Sequence, residues 1–170
     1  MKNGLLGKYL LPDYYFRDYS EVTPEFLHSI GMRAVIADID NTLVTYDDPA
    51  PTVDVLKWLD ALRSAEIQVA FVSNNNRERV ERFCKGLDYF YSYNSGKPSV
   101  KAYKRAAQTL GAALGECAVI GDQIFTDIIA AKRLGMKGII VKPIKDKLTP
   151  LFKLKRAGER LIYKIYKIKF

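Results

Sequence analysis

Two aspartates that directly follow an apolar run place the strongest constraint on what this chain can fold into. Residues 34–37, Ala-Val-Ile-Ala, are predicted to form a buried strand of a parallel sheet, and Asp38 and Asp40 come next. Because side chains alternate along a strand, both carboxylates emerge near each other as the chain leaves the sheet. Ligands of open α/β sheets bind at that edge, and paired carboxylates there suit a divalent cation or acid–base chemistry. On its own, the pair fits equally well a turn residue followed by a helix cap.

Short apolar runs alternate with helical patterns along the rest of the chain. We predict apolar strands at residues 67–72, 118–120 and 138–141, and a short aromatic strand at residues 89–93. Helical patterns lie between these strands, and this alternation is typical of a parallel sheet with right-handed crossovers. We therefore expect an α/β fold with a three-layer Rossmann-like architecture.

The N-terminal segment, residues 5–16, is apolar and rich in tyrosine, and Pro12 interrupts it. It can either pack on the body of the domain or anchor the chain at an interface. We expect packing on the body, because aromatic side chains are mostly buried. A short helix capped by Thr23, with Pro24 at its first position and Gly31 at its end, then leads into the first strand.

The length of 170 residues fits one domain with a real hydrophobic core. Cys84 and Cys117 provide neither a disulfide framework nor a metal-ligand cluster, and the single histidine, His28, has no second ligand near it in the sequence. No apolar run is long enough to span a bilayer, and the N-terminus has no cleavage site typical of a signal peptide. We expect an unprocessed cytoplasmic protein.

Three further polar clusters follow apolar strands or precede helices. Ser73 and Asn74 come where the second strand ends, a position that can bind an anion through hydroxyl and backbone N–H groups. Lys97 lies between a glycine and a proline, and Asp122 and Asp127 follow the third strand. Each cluster alone has an ordinary structural explanation, such as a surface lysine or a turn acid. Their fixed order along the chain points to a shared site.

These clusters together resemble the haloacid dehalogenase superfamily of phosphohydrolases. The superfamily's motifs are a strand followed by DxDx[TV], a strand ending in Ser or Thr, a Lys, and an acidic GDxxxxD. Here they read DIDNT, VS, K and GDQIFTD, in that order. The resemblance implies an enzyme of this superfamily, a phosphatase that hydrolyses phosphoric monoesters.

The resemblance also assigns roles to the aspartates. Asp38 would be the nucleophile that forms an aspartyl-phosphate, and Asp40 would protonate the leaving oxygen and later deprotonate the attacking water. Mg²⁺ would be held by Asp38, the backbone carbonyl of Asp40, Asp122 and water, in keeping with its preference for oxygen ligands.

The remaining motif positions would act on the phosphoryl group and its surroundings. Ser73, Asn74 and Lys97 would hold phosphoryl oxygens as charge redistributes during transfer. Asp127 would orient either Lys97 or a metal-bound water, and Thr42 would support the first motif.

The spacing of the motifs leaves no room for a cap domain, which many relatives carry. Between Asp40 and Ser73, and again between Ser73 and Lys97, the chain has space for one helix and its loops. A capless site stays open, so a phosphate on a macromolecule or a membrane surface can reach Asp38. Small metabolites are less favoured as substrates.

The formal net charge of +8 belongs to the C-terminal segment. Residues 142–170 hold ten of the 27 basic residues and two of the 19 acidic ones, which leaves 17 of each sign in residues 1–141. We divide the chain into a phosphatase domain, residues 1–149, and a basic amphipathic helix, residues 150–170.

The predicted C-terminal helix has an apolar and a basic face. Its apolar face would consist of Leu154, Ala157, Leu161, Ile165 and Ile168. Its basic face would consist of Lys153, Arg156, Arg160, Lys164 and Lys167. Two interpretations stay open: the helix contacts an anionic membrane, or its apolar face packs on the body while its basic residues are solvated.

Within the superfamily, four stretches look most like the capless subfamily IIIA phosphatases of the YqeG type: the opening Leu-Pro-Asp-Tyr-Tyr segment, DIDNTL, VSNNN and GDQIFTDI. This group is similar to the mitochondrial phosphatidylglycerophosphate phosphatases. The resemblance implies Mg²⁺-dependent hydrolysis of phosphatidylglycerophosphate, an anionic phospholipid, by a cytoplasmic protein peripheral to the inner face of the membrane. Two alternatives stay open: a phosphatase of nucleic-acid ends or phosphoprotein, and a non-catalytic protein that binds Mg²⁺ and phosphate and docks through its basic tail. Nucleic acid is the less favoured partner.

Overall fold

A computed structural model describes residues 5–145 and 150–166. The described residues form a six-stranded sheet in which every neighbouring pair of strands is parallel, in the order β1-β6-β5-β2-β3-β4. The strands are β1 (Tyr14–Phe16), β2 (Ala34–Ala37), β3 (Gln68–Val72), β4 (Phe90–Ser92), β5 (Cys117–Gly121) and β6 (Lys137–Val141). The helices are α1 (Leu5–Leu10), α2 (Pro24–Ser29), α3 (Val53–Ser64), α4 (Arg77–Cys84), α5 (Lys101–Thr109), α6 (Ile129–Leu134) and α7 (Pro150–Tyr166). The predicted parallel α/β sheet is confirmed.

The sheet separates two hydrophobic layers because β2, at its centre, is fully buried on both faces. Val35 and Ala37 belong to a core that α2, α3 and α4 cover. Ala34 and Ile36 belong to the core on the other face, which α5 and α6 cover. This alternation along one strand produces the three-layer architecture predicted from the sequence.

The order of the strands reverses at β2. From β2 the chain runs outward to β3 and β4, then returns to the opposite side of β2 to build β5 and β6. Such a switch point leaves a crevice at the carboxyl ends of the central strands, where α/β proteins bind their ligands. Only α3 separates β2 from β3 and only α4 separates β3 from β4, so no cap domain is present in the described chain.

The N-terminal segment packs on the body and adds a strand that the sequence did not predict. Tyr14 and Phe16 in β1 pack against the core, and each ring meets that of Phe26 edge-on at a centroid distance of 5.0 Å. Asp13 holds the start of the strand, because its N–H donates to the Gly138 carbonyl and its carboxylate accepts from the Gly138 N–H, both at 2.8 Å. A three-residue strand is too short to show an alternating pattern, so tertiary pairing decides its conformation.

The predicted C-terminal helix is present, but it packs through a different face from the one expected. Arg156, Glu159 and Ile162 are buried, whereas Leu161 is 58% exposed and Ile165 is 53% exposed. The interpretation that the predicted apolar face packs on the body is therefore wrong for its described members, and Arg156 does not lie on a solvated face. Two other members of that apolar face, Leu154 and Ile168, and the basic residues Lys153 and Lys167 cannot be assigned to a face: the structure describes only the backbone of Lys153 and Leu154, and Lys167 and Ile168 lie outside the described residues.

None of the described helices is long and apolar enough to cross a membrane.

The core predicts a difference between two leucines of α3. Leu62 is fully buried, so Leu62→Ala is expected to lower the free energy of unfolding by about 2–5 kcal/mol through lost burial and a cavity. Leu56, on the same helix, is 39% exposed and supplies the matched control, Leu56→Ala. Urea denaturation of the two variants measures the difference. Equal losses in both would contradict the described packing of α3.

Candidate active site

Three strands deliver polar side chains to the same edge of the sheet. Asp38 follows β2, Ser73 follows β3 and Asp122 follows β5, and all three are buried. The register of the central strands brings these ends together, since Ala37 pairs with both Phe71 and Ile120. The Asp38 N–H donates to the carbonyl of Ile120 at 2.9 Å, which extends the ladder into the site.

Lys97 joins the first and last predicted motifs. Its ammonium lies 2.8 Å from Asp38 Oδ1 and 2.8 Å from Asp127 Oδ1, and the residue is 7% exposed. The backbone N–H of Lys97 donates to Asn74 Oδ1 at 2.7 Å, so the end of β3 positions the loop that carries Lys97. Burial alone would lower the pKa of Lys97, but the charges of Asp127 and Asp38 outweigh it and raise the pKa above its usual value. Lys97 is therefore a buried cation and not an ordinary surface lysine.

Asp38 is surrounded by other carboxylates. Burial raises the pKa of Asp38 to about 8, Lys97 opposes the shift, and the charges of Asp127 and Asp122 add to it. The site therefore holds Asp38 in an environment that favours uptake of a proton or a cation.

The side-chain contacts of Asp40 are with α4 and the loop before it rather than with this cluster. Arg79, which is 6% exposed, lies 2.8 Å from Asp40 Oδ1 through Nη2 and donates from Nε at 3.0 Å. Asn75 Nδ2 donates to Asp40 Oδ2 at 3.0 Å. Neither Arg79 nor Asn75 was among the predicted site residues, although the run of asparagines after Ser73 indicates that the strand end is polar.

Asp127 lies in a π-helical turn, Ile124–Ile128, that leads into α6. Its Oδ1 accepts hydrogen bonds from Lys97 and, at 3.1 Å, from the Tyr103 hydroxyl, and its Oδ2 accepts from Thr126 Oγ1 at 2.9 Å. Turns of this kind occur often at functional sites because they redirect side chains within a helix. The structure thus places Asp127 against Lys97, one of the two expected positions.

Asn41 links the end of β5 to the segment after β6, and it was not among the predicted site residues. It has a left-handed backbone, with φ of +70°, which asparagine tolerates better than most residues. Its Nδ2 donates to Asp122 Oδ2 at 3.0 Å, and its Oδ1 accepts from the Lys145 N–H at 2.6 Å. Thr42, next to it, is buried, and its hydroxyl has no hydrogen-bond partner in the part of the chain that the structure describes.

An open cleft of about 160 Å³ lies over these groups. It is lined by Asp38, Asp40, Tyr46, Ser73, Asn74 and Asn75. The cleft therefore combines the ends of β2 and β3, as the sequence predicted, with two side chains that it did not identify.

Residues 15–135 match the family of hydrolases described as haloacid dehalogenase-like hydrolase. The chain belongs to this family. Among its relatives, the probable phosphatase YqeG of Bacillus subtilis (strain 168) is 34% identical over 165 residues, which cover 97% of this chain and 96% of YqeG. The predicted superfamily and enzyme class, a phosphatase of the haloacid dehalogenase type, are confirmed.

Solved structures show the same fold. The crystal structure of a haloacid dehalogenase phosphatase from Thermococcus onnurineus superposes with a TM-score of 0.55 at 16% identity and covers 75% of this chain and 98% of its own. The cobalt-bound deoxy-D-mannose-octulosonate 8-phosphate phosphatase from Haemophilus influenzae superposes with a TM-score of 0.50, also at 16% identity, and covers 79% and 88%. At these identities the likeness concerns the fold alone.

The buried charged groups of the candidate site suit a divalent metal. Among the described residues, these groups are five carboxylates and three cations: Asp38, Asp40, Asp122, Asp127, Glu159, Lys97, Arg79 and Arg156. When all are charged, one divalent cation balances them. Carboxylate oxygens of Asp38, Asp122 and Asp127 lie within 4.8 Å of one another. Oxygen ligands without histidine or cysteine suit hard cations such as Mg²⁺, Mn²⁺ or Ca²⁺.

Gly121, the last residue of β5, leaves the space that Asp127 occupies. A Cβ at this position would lie 2.5 Å from Asp127 Cβ and 2.6 Å from Asp127 Oδ2. We expect Gly121→Ala to destabilise the fold by about 1–3 kcal/mol and to reduce activity strongly, because Asp127 must move and release Lys97. The control is Gly115→Ala, where a Cβ has no heavy atom within 4 Å. Urea denaturation and hydrolysis of p-nitrophenyl phosphate test both variants, and a fully active, stable Gly121→Ala protein would contradict this packing.

The raised pKa of Asp38 predicts a pH dependence of stability in the absence of metal. The folded pKa of about 8 exceeds the usual value of 3.8. Between these values the folded state retains a proton that the unfolded state releases, so the free energy of unfolding falls as pH rises. Asp38→Asn removes this contribution. Its unfolding free energy in EDTA is expected to decline less from pH 5 to pH 8 than that of the wild type. Parallel pH profiles for the two proteins would count against the charge environment described for Asp38.

Proposed function

We propose that this phosphatase works through an aspartyl-phosphate on Asp38. In the first step an Asp38 oxygen forms a bond to phosphorus, the bond from phosphorus to the leaving oxygen breaks, and Asp40 gives that oxygen a proton. In the second step water attacks the same phosphorus, Asp40 takes its proton, and Asp38 is released with inorganic phosphate. The observation that carries the proposal is the position of Asp38, buried beneath the cleft with one oxygen held by Lys97.

The surroundings of Asp40 support an acid–base role. Asp40 lines the same cleft as Asp38, and Arg79 and Asn75 hold its two oxygens. When Asp40 gives up its proton, the Arg79 guanidinium stabilises the carboxylate that forms. Neither contact involves Asp38, so Asp40 can exchange a proton without disturbing the Lys97 pair.

The phosphoryl group would be held by Ser73 and Lys97. Ser73 Oγ accepts a hydrogen bond from the Asn75 N–H at 3.0 Å, which orients the hydroxyl so that its own hydrogen can be donated to a phosphoryl oxygen. Asn74 contributes by positioning the loop that carries Lys97, since its side chain forms hydrogen bonds with both the N–H and the carbonyl of Lys97. Positioned donors and a cation are most of what phosphoryl transfer requires of a protein.

We propose Mg²⁺ as the metal, held by the carboxylates of Asp38 and Asp122 and the backbone carbonyl of Asp40. When bound, it would supply positive charge to the phosphoryl oxygens and to Asp38. The contacts of Asp127 with Lys97, Tyr103 and Thr126 suit it to position Lys97 rather than to bind the ion.

The substrate we propose is phosphatidylglycerophosphate presented by an anionic membrane, as for the mitochondrial phosphatidylglycerophosphate phosphatases to which the YqeG-type group is similar. Two features support it. The cleft is open and no cap covers it in the described part of the chain, so a large phosphorylated surface can approach Asp38. In addition, Leu161 and Ile165 are exposed on α7 beside the exposed residues Arg160 and Lys164. Apolar and basic groups together favour an anionic lipid surface, at about 1 kcal/mol for each basic residue.

The test is release of phosphate from phosphatidylglycerophosphate in phosphatidylcholine vesicles, compared with p-nitrophenyl phosphate in solution, each with Mg²⁺ or with EDTA. We expect hydrolysis of both substrates to require Mg²⁺ and hydrolysis in vesicles to be the faster. Asp38→Asn is expected to abolish both while remaining folded. An active, folded Asp38→Asn protein would remove Asp38 from the nucleophile role. Activity on the soluble ester alone would reject the lipid and direct the search to nucleic-acid ends and phosphoproteins.

A pair of matched variants separates membrane action from chemistry. Replacing both Leu161 and Ile165 with Ser is expected to lower the ratio of vesicle to soluble activity at least several-fold, because it removes the large apolar side chains that are exposed on the described part of α7. The control replaces Val53 and Leu56 of α3, which are 65% and 39% exposed, with Ser. An unchanged ratio in the α7 variant, or an equal fall in the control, would reject this role of α7.

A further inference from the structure

The C-terminal helix reaches into the proposed metal site through Arg156. This residue is 6% exposed, and its Nη2 pairs with Asp122 Oδ2. Its Nη1 donates to the backbone carbonyl of Asp122 at 2.7 Å, so the two terminal nitrogens of the guanidinium bind the same residue. The two residues lie 34 positions apart in the sequence.

Glu159, one turn further along α7, completes the contact. It is 1% exposed and accepts a hydrogen bond from Arg156 Nη1 at 2.7 Å through Oε2. Its Oε1 accepts from the Ile124 N–H at 2.7 Å. The pair therefore contacts the loop that follows β5 at two points: Arg156 binds Asp122 and Glu159 binds the Ile124 N–H. Because Glu159 balances the charge of Arg156, the pair adds no net positive charge beside Asp122.

Close packing explains why the helix can come so near. A Cβ at Gly158 would lie 3.2 Å from a ring carbon of Phe125, so a glycine allows the two surfaces to meet. Ile162 packs in the same hydrophobic cluster as Ile124 and Ile128 of the π-helical turn. The ion pairs and the apolar contacts thus hold α7 on the loop that carries Asp122.

The hydrogen bonds of Asp122 are unequal on its two oxygens. Oδ2 receives both Arg156 and Asn41 Nδ2, whereas the contact to Oδ1 comes from Gln123 Nε2 at 3.4 Å. A carboxylate that binds a metal through one oxygen is commonly held by hydrogen bonds at the other, and losing such a bond costs about 10–100-fold in metal affinity.

We infer that Arg156 is a positioning residue for the metal ligand Asp122, and that α7 is thereby a structural part of the metal site. The inference rests on the metal site proposed above. The amphipathic pattern alone places Arg156 on a solvated basic face with its neighbours, whereas the structure buries Arg156 against Asp122. Arg156 would present Asp122 in the orientation that accepts a divalent cation, and removing Arg156 would weaken metal binding even when no substrate is present.

The test measures Mn²⁺ binding by electron paramagnetic resonance of the free ion, with no turnover involved. We expect Arg156→Gln to weaken Mn²⁺ binding by about 10–100-fold and Arg156→Lys to recover part of the loss, because it restores the charge and one donor. Arg160→Gln removes the same charge from an exposed position on the same helix and is expected to leave Mn²⁺ affinity unchanged. Circular dichroism establishes that each variant retains its helical content.

Hydrogen exchange of the wild-type protein gives a second readout that needs no substitution. If α7 strengthens Mn²⁺ binding, Mn²⁺ must strengthen the docking of α7 by the same factor, so amides of residues 156–166 should exchange more slowly at saturating Mn²⁺. Unchanged exchange with Mn²⁺ bound, or equal Mn²⁺ affinity in Arg156→Gln, would overturn the inference alone. Tighter binding by Arg156→Gln would overturn it by making Arg156 a competitor of the cation. A wild-type protein that binds no Mn²⁺ would defeat the proposed metal site itself.

Discussion

The candidate active site depends on one buried lysine shared by two carboxylates. Lys97 lies 2.8 Å from both Asp38 and Asp127, and these acids come from opposite ends of the motif series. A buried ammonium is costly unless it is paired, and each of these carboxylates would be costly without it. The interaction therefore links the end of β2, the loop before α5 and the π-helical turn after β5. Asn74, which holds the backbone of Lys97, extends the same network to β3.

The sequence predicted the parts of this arrangement that local physics decides. Buried parallel strands appear as short apolar runs, and polar residues at their carboxyl ends mark the ligand edge of the sheet. Asp38, Ser73 and Asp122 were found in this way, and the structure brings them to one edge. β1 was not found as a strand, because three residues carry no detectable period and only the pairing of Tyr14–Phe16 with β6 makes them extended.

The groups that surround the motif residues could not be predicted, because long-range contacts place them. Arg79 reaches Asp40 across 39 positions, and Arg156 reaches Asp122 across 34. The helical pattern does not distinguish Arg156 from the other basic residues of α7. Its burial is stabilised by Asp122, which lies in a distant loop. One signal was available: Glu159 is the single acid of residues 150–170 and lies three positions after Arg156, the spacing at which helical side chains pair. A lone acid at this spacing in a basic helix indicates an ion pair that contributes to packing.

The sheet has two outer strands, β1 and β4, and each is three residues long. An exposed edge strand offers unpaired amide and carbonyl groups that can recruit a strand from another molecule, and short edges limit this recruitment. The four inner strands are four or five residues long. All their residues are buried except the first residue of β3, which is exposed, and the first residue of β6, which is half-buried. The longest apolar strands therefore lie away from both edges of the sheet. The same architecture that gathers the candidate site residues at the centre of the sheet therefore also protects the protein against edge-to-edge aggregation.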